Sequence, residues 1–133
     1  FDEISRVVPW VELAVDQGQD LEAPQYGEEE GKPRIFKTHL WYDHSPKFQK
    51  TIVVLRNPFD VVVSFYKFFE DWFFEAGSID LDTFVEEFWL ARGVPQSRMQ
   101  NASYFEHLTS WYKRRHEKES VLIIFFEDLK EDL

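Results

Sequence analysis

Two short runs, Thr51–Arg56 (TIVVLR) and Val121–Phe126 (VLIIFF), constrain this chain more than any other feature. Each is continuously apolar and rich in β-branched or aromatic residues. Each lacks the alternation of a half-exposed strand and is too short for a buried helix. Between them lie three segments with helical periodicity. Buried strands separated by helices predict an α/β fold with a parallel sheet, because parallel neighbours need a long crossover. The first run ends on Arg56-Asn57-Pro58. Asn is a good helix cap and Pro suits the first helical position, so the chain is expected to pass directly from strand to helix there.

The helix predicted from Pro58 to about Glu75 is apolar almost all round and reads as largely buried. Asp60, Ser64, Lys67 and Asp71, spaced by 4, 3 and 4, nevertheless form one polar stripe along it. Residues 80–93 (DLDTFVEEFWLARG) predict a second helix with Leu81, Phe84, Val85 and Phe88 on its apolar face and Gly93 and Pro95 as its stop. Residues 103–118 predict a third, in which Ser103 and Glu106 match a capping box and Lys113–Arg115 suits the negative C-terminal end. Upstream, residues 1–14 around Pro9 read as irregular chain or short helices, and the acidic, turn-rich residues 15–31 as an exposed loop. Arg34–Leu40 (RIFKTHL) predicts a short strand with Ile35, Lys37 and His39 on one face.

Composition narrows the function classes. A length of 133 residues predicts one domain, and 14 Phe, 5 Trp and 5 Tyr supply ample core material. The 25 acidic residues outnumber the 15 basic ones, a formal charge of -10, which argues against general nucleic-acid binding. An anionic ligand must then be held by a local pocket rather than gathered by the whole field. The absence of cysteine excludes disulfides and thiolate metal sites and fits a reducing compartment. No apolar stretch approaches the roughly 20 residues of a bilayer span. His44, His107 and His116 share no ligand spacing, Glu28–Glu30 reads as a solvated loop, and no Gly-rich phosphate loop occurs within the chain.

Two constellations could carry chemistry. Arg56 falls where a strand gives way to a helix, the end of a parallel sheet at which ligands gather, and its guanidinium matches phosphate oxygens. Ser64 lies about two turns into the helix, on the order of 10 Å from its start. An anion touched by both must therefore lie beside the helix and not at its tip. The plainer alternative pairs Arg56 with Asp60 and leaves Ser64 solvated, and spacing alone favours it. Lys37 and His39 would point the same way from a strand. A neighbouring ammonium disfavours the imidazolium, leaving a neutral base for a hydroxyl, while Lys37 could stabilise charge on a transferring oxygen. The plainer alternative is an edge strand with two residues in water.

RIFKTHL, TIVVLRNPFDVVVSFY and VLIIFFEDLKEDL together resemble the cytosolic sulfotransferase family, as do VVPWVE near the start and SYFEHLTSWY before the last strand. The resemblance implies a P-loop-like, three-layer α/β fold and transfer of a sulfuryl group from 3′-phosphoadenylyl sulfate (PAPS) to a hydroxyl or amine, with PAP as product and no metal. It implies that Arg56 and Ser64 bind the donor's 3′-phosphate, with Phe126 near the nucleotide. It implies that His39 is the catalytic base, that Lys37 orients acceptor and sulfuryl group, and that Trp10 and Phe68 line an apolar acceptor pocket. A cytoplasmic protein acting on small molecules is expected, without nucleic-acid or membrane partners, and with homodimers in the full-length form.

The sequence also departs from the family pattern. Leu40-Trp41 replaces Leu-Pro, Phe126 replaces a tyrosine, and Asn101 stands where an acceptor-contacting tyrosine is usual. The phosphosulfate loop with its lysine, expected before Phe1, and the Arg-Lys-Gly segment, expected after Leu133, lie outside the sequence. Residues 1–133 are therefore expected to form a single, partial sulfotransferase domain lacking the N-terminal phosphosulfate-loop unit. Two other readings stay open: a binding module for a 3′-phosphonucleotide without turnover, and a nucleotide kinase, which is weakened by the missing Gly-rich loop.

Overall fold

A computed structural model describes residues 4–22, 33–97 and 100–132. The Glu28–Glu30 cluster and much of the expected acidic loop lie outside the described residues. The chain divides into two compact units, Phe1–His39 and Leu40–Leu133.

In the first unit a single 3-10 turn, Ile4–Arg6, leads into a run of turns. Among the described residues, Pro9 and Ala14 are its fully buried ones. Arg34–Leu40 does not form the expected strand. It is extended chain joined to the earlier segment by one parallel bridge, Trp10 to Lys37. The Lys37 N–H donates to the Pro9 carbonyl and the Val11 N–H to the Lys37 carbonyl, both at 2.9 Å. The pairing stops there because the partner segment curls into a turn, with the Leu13 N–H on the Trp10 carbonyl at 3.0 Å.

In the second unit β1 (Thr51–Leu55) pairs with β2 (Val121–Phe125) in parallel, from Thr51 opposite Val121 to Leu55 opposite Phe125. Phe126 is not the last strand residue. It opens a short helix that the sequence reading did not anticipate. The strands are also not covered on both faces. Val53, Leu55 and Val121 pack with Trp111 in one core, whereas Ile52, Val54 and Leu122 are 66%, 53% and 54% exposed. The described helices shield one face only.

Helix α1 (Pro58–Trp72) begins as expected, the Asn57 side chain accepting the Phe59 N–H at 2.9 Å. It ends three residues before Glu75, where the Phe73 and Phe74 N–H groups both turn onto the Phe69 carbonyl. The polar stripe is exposed, but so are Phe59, Phe68 and Trp72, and Val62 is the helix's one buried residue. The expectation of a largely buried helix fails because its inner face alone, with Phe65 and Phe69, meets an aromatic cluster.

That cluster comes from the second helical segment. Asp80 caps α2 (Leu81–Phe84), accepting the Thr83 N–H at 2.7 Å. The chain then widens into a π-helical turn, Val85–Trp89, instead of continuing as α-helix to Gly93. Phe84, Phe88 and Trp89 of this segment face Phe65 and Phe69 at ring separations of 5.1–6.2 Å.

Helix α3 (Tyr104–Tyr112) starts where expected, Ser103 accepting the Glu106 N–H at 3.1 Å, but it is shorter. The basic run lies just past its end, where Arg115 donates to the Tyr112 carbonyl at 3.0 Å, and His116 falls outside the helix. Its Trp111 is 4% exposed, and the indole N–H donates to the Leu40 carbonyl at 3.2 Å. Helix α4 (Phe126–Asp132) follows β2 without a loop.

Trp111 joins α3 to both strands. Trp111→Ala is expected to lower unfolding free energy by about 3–5 kcal/mol in urea titrations. Trp111→Phe, which keeps a ring and loses the hydrogen bond, should lower it by roughly 1–2 kcal/mol.

Candidate functional site

The in-register end of the sheet dictates the first cluster. Leu55 is opposite Phe125, so Arg56 and Asn57 leave the sheet beside Phe126 and Glu127. The Arg56 guanidinium lies 4.9 Å from the centre of the Phe126 ring, a cation–π contact. The Asn57 N–H donates to Glu127 Oε1 at 2.9 Å. The Tyr104 hydroxyl donates to the Arg56 carbonyl, and its ring stacks on Trp89 at 5.6 Å. The strand-to-helix junction is thus held from α3, α4 and the π turn together.

The electrostatics follow. Glu127 is held below the ordinary carboxyl range, chiefly because the Asn57 N–H bonds its charged form, with Arg56 adding a smaller pull. Tyr104 is pushed above the usual phenol range by desolvation and then by the Glu127 charge. The Asn57 amide at the helix tip therefore already holds a carboxylate. Arg56 Nη2 lies 3.7 Å from Asp60 Oδ2, so the ion pair of the plainer sequence reading is present, though longer than a hydrogen bond. It leaves the Arg56 Nε–H buried without a hydrogen-bond partner among the described residues. Ser64 is exposed one turn beyond Asp60 on the same stripe. Phe68, also on α1, is 50% exposed and stacks on Trp72 at 5.9 Å.

The second cluster lies within Phe1–His39. The Trp10 ring receives Lys37 Nζ at 4.1 Å from its centre and the His39 imidazole edge-on at 4.7 Å. Lys37 and His39 are two residues apart in extended backbone, so both reach the same ring. The His39 backbone N–H donates to Glu12 Oε1 at 2.6 Å. The imidazole titrates below the ordinary value of 6.5, first through desolvation and then through Lys37, with Glu12 opposing both. The indole N–H of Trp10 and Oε2 of Glu12 are buried without hydrogen-bond partners among the described residues.

Trp10, Lys37 and His39 thus share the first unit, while Arg56, Ser64, Phe68 and Phe126 belong to the second. Sequence reasoning missed Glu12, Tyr104 and Glu127. Glu127 was within reach, since residues 57 and 127 each lie two past the end of a strand and parallel alignment makes them neighbours. Nothing in the local pattern singles out Glu12 or Tyr104. Among the described residues no group of three or more His, Cys, Asp or Glu side chains could hold a metal. No described helix is long and apolar enough to cross a membrane.

The chain is similar to known proteins over most of its length. The profile of the sulfotransferase domain family matches residues 1–133. Sulfotransferase 1E1 of Cavia porcellus is 33% identical over 137 aligned positions, covering 99% of this chain and 43% of that protein. Amine sulfotransferase of Oryctolagus cuniculus is 32% identical over 106 positions, 76% of this chain and 33% of that one. The crystal structure of mouse sulfotransferase SULT7A1 complexed with PAP superposes with a TM-score of 0.63 at 28% identity, over 84% of this chain and 37% of that one. The chain spans a third to under half of the length of these relatives. The α/β, P-loop-like fold expected from the sequence is the fold it shares with them, and the chain belongs to the sulfotransferase domain family.

Proposed function

We propose that the chain is the central portion of a sulfotransferase that moves a sulfuryl group from PAPS to a hydroxyl or amine of a small, apolar acceptor. The observation that carries the donor assignment is the buried Nε–H of Arg56 beside α1, which has no hydrogen-bond partner among the described residues. A 3′-phosphate fits this place. Glu127 takes the Asn57 N–H at the helix tip, which favours a position for the anion along the flank, toward Ser64 on the exposed stripe. Phe126 holds the guanidinium by its cation–π contact and offers an apolar face near the nucleotide. Asp60 competes for the same guanidinium from a position 57% exposed to water.

When bound, the donor supplies a sulfuryl group on a phosphate leaving group. His39 supplies the base: its imidazole is kept neutral by desolvation and by Lys37, and takes the acceptor's proton as the new S–O or S–N bond forms and the S–O bond to phosphate breaks. Lys37 places a positive charge beside the imidazole, where charge on a transferring oxygen is stabilised. Trp10 supplies apolar surface for an acceptor beside the base, and in the second unit Phe68 is exposed. Transfer of this kind depends on positioning and fixed charge.

The first test is calorimetry with 3′,5′-ADP on the chain. Arg56→Ala should weaken binding roughly 10- to 100-fold, the loss expected for charged hydrogen bonds. Unchanged affinity in that variant would place the anion elsewhere. Asp60→Asn removes the competing carboxylate and should tighten binding by up to about 5-fold.

The second test is turnover with PAPS in the full-length protein. His39→Ala should lower kcat about 10²- to 10⁴-fold while leaving 3′,5′-ADP affinity nearly unchanged. Retained turnover would remove His39 from the chemistry. Because a base must be neutral to act and His39 titrates low, the acid limb of the pH–rate profile should lie below 6.5. Tight nucleotide binding with no turnover in the full-length protein would favour a non-catalytic 3′-phosphonucleotide-binding module.

A further inference from the structure

The segment that carries Lys37 and His39 is held by an interrupted ladder. Lys37 exchanges both of its backbone bonds with Pro9 and Val11 across the Trp10 bridge. A parallel ladder continued by one rung would send the His39 N–H to the Val11 carbonyl. The partner segment turns away after Val11, and the N–H instead meets Oε1 of Glu12 at 2.6 Å. A carboxylate acceptor at that distance makes a stronger bond than a neutral carbonyl. The imidazole that this bond places rests on the Trp10 ring, which carries Lys37 as well.

We propose that Glu12 is a positioning residue for His39: its carboxylate replaces the missing ladder carbonyl and fixes the base against Trp10 beside Lys37. The assignment rests on His39 being the base of the reaction proposed above. A backbone carbonyl would hold the N–H less strongly and would leave the imidazole with Lys37 unopposed. The carboxylate adds a negative charge that counters Lys37 and desolvation; among the described residues the charged groups acting on His39 are Lys37 and Glu12. A general base works best with its proton affinity near the working pH, so a group that limits the downward shift favours transfer. One side chain thereby sets both where the base stands and how strongly it holds a proton.

The test is NMR of the 133-residue chain, reading the His39 ring titration and exchange of the His39 amide. Glu12→Gln keeps an acceptor oxygen and removes the charge. The amide should stay protected while the ring midpoint moves further down. Glu12→Ala removes both, and protection of the amide should fall about tenfold or more. Loosening of the segment alone would relieve desolvation and move the ring midpoint up, opposite to the shift expected for Glu12→Gln. A midpoint in Glu12→Gln that is unchanged or raised overturns the proposal, as does wild-type amide protection in Glu12→Ala. If Glu12→Ala does not fold, the Glu12→Gln titration decides alone. Neither reading requires turnover, so failure of the sulfotransferase assignment would show separately, as an active protein that does not need His39. In the active full-length protein, Glu12→Gln should shift the acid limb of the pH–rate profile downward.

Discussion

The register of β1 against β2 decides where the chemistry-bearing side chains of the second unit fall. With Leu55 opposite Phe125, the two chains leave the sheet level with one another. Arg56 then meets the face of Phe126, and the Asn57 N–H meets the Glu127 carboxylate. A slip by one residue would exchange the two faces of a strand and set a different residue against Asn57. The register is held from below by Val53, Leu55, Val121 and Trp111, so one apolar core fixes the placement of an arginine that lies outside it.

The aromatic cluster does the second part of this work. The inner face of α1 packs on Phe84, Phe88 and Trp89, and Tyr104 stacks on Trp89 while its hydroxyl reaches the Arg56 carbonyl. The π turn matters here because its wider winding changes which side chains of Val85–Trp89 share a face. An acidic chain has no general field to draw an anion, so any anion site depends on local donors held in place. The buried Arg56 Nε and the Glu127 carboxylate on the Asn57 N–H are the observations behind the proposed anion position on the flank of α1.

In the first unit the same economy is visible on a smaller scale. One bridge, one indole and one carboxylate organise Lys37 and His39 without a regular strand. Trp10 receives a cation and an imidazole at once, which the expectation of a simple apolar pocket lining did not foresee.

What could be read without coordinates came from features that act over a few residues. The apolar runs at Thr51 and Val121, the Asn57-Pro58 start, the Ser103 cap and the polar stripe through Ser64 all follow from local propensity and periodicity, and all appear in the structure. The expected strand at Arg34–Leu40 did not form because its partner turns away after Val11, a fact stored in another part of the chain. Burial of α1 and of both sheet faces was overestimated because apolar composition says what can be covered and not what covers it. By itself, then, the sequence determined the α/β class, the strand-to-helix junction and the residue types available for binding an anion and moving a proton. Only the tertiary structure decided the register that sets Glu127 against Asn57, that Tyr104 ties down Arg56 and that Glu12 holds His39. Those contacts join residues 70, 48 and 27 positions apart, and no local rule spans such distances.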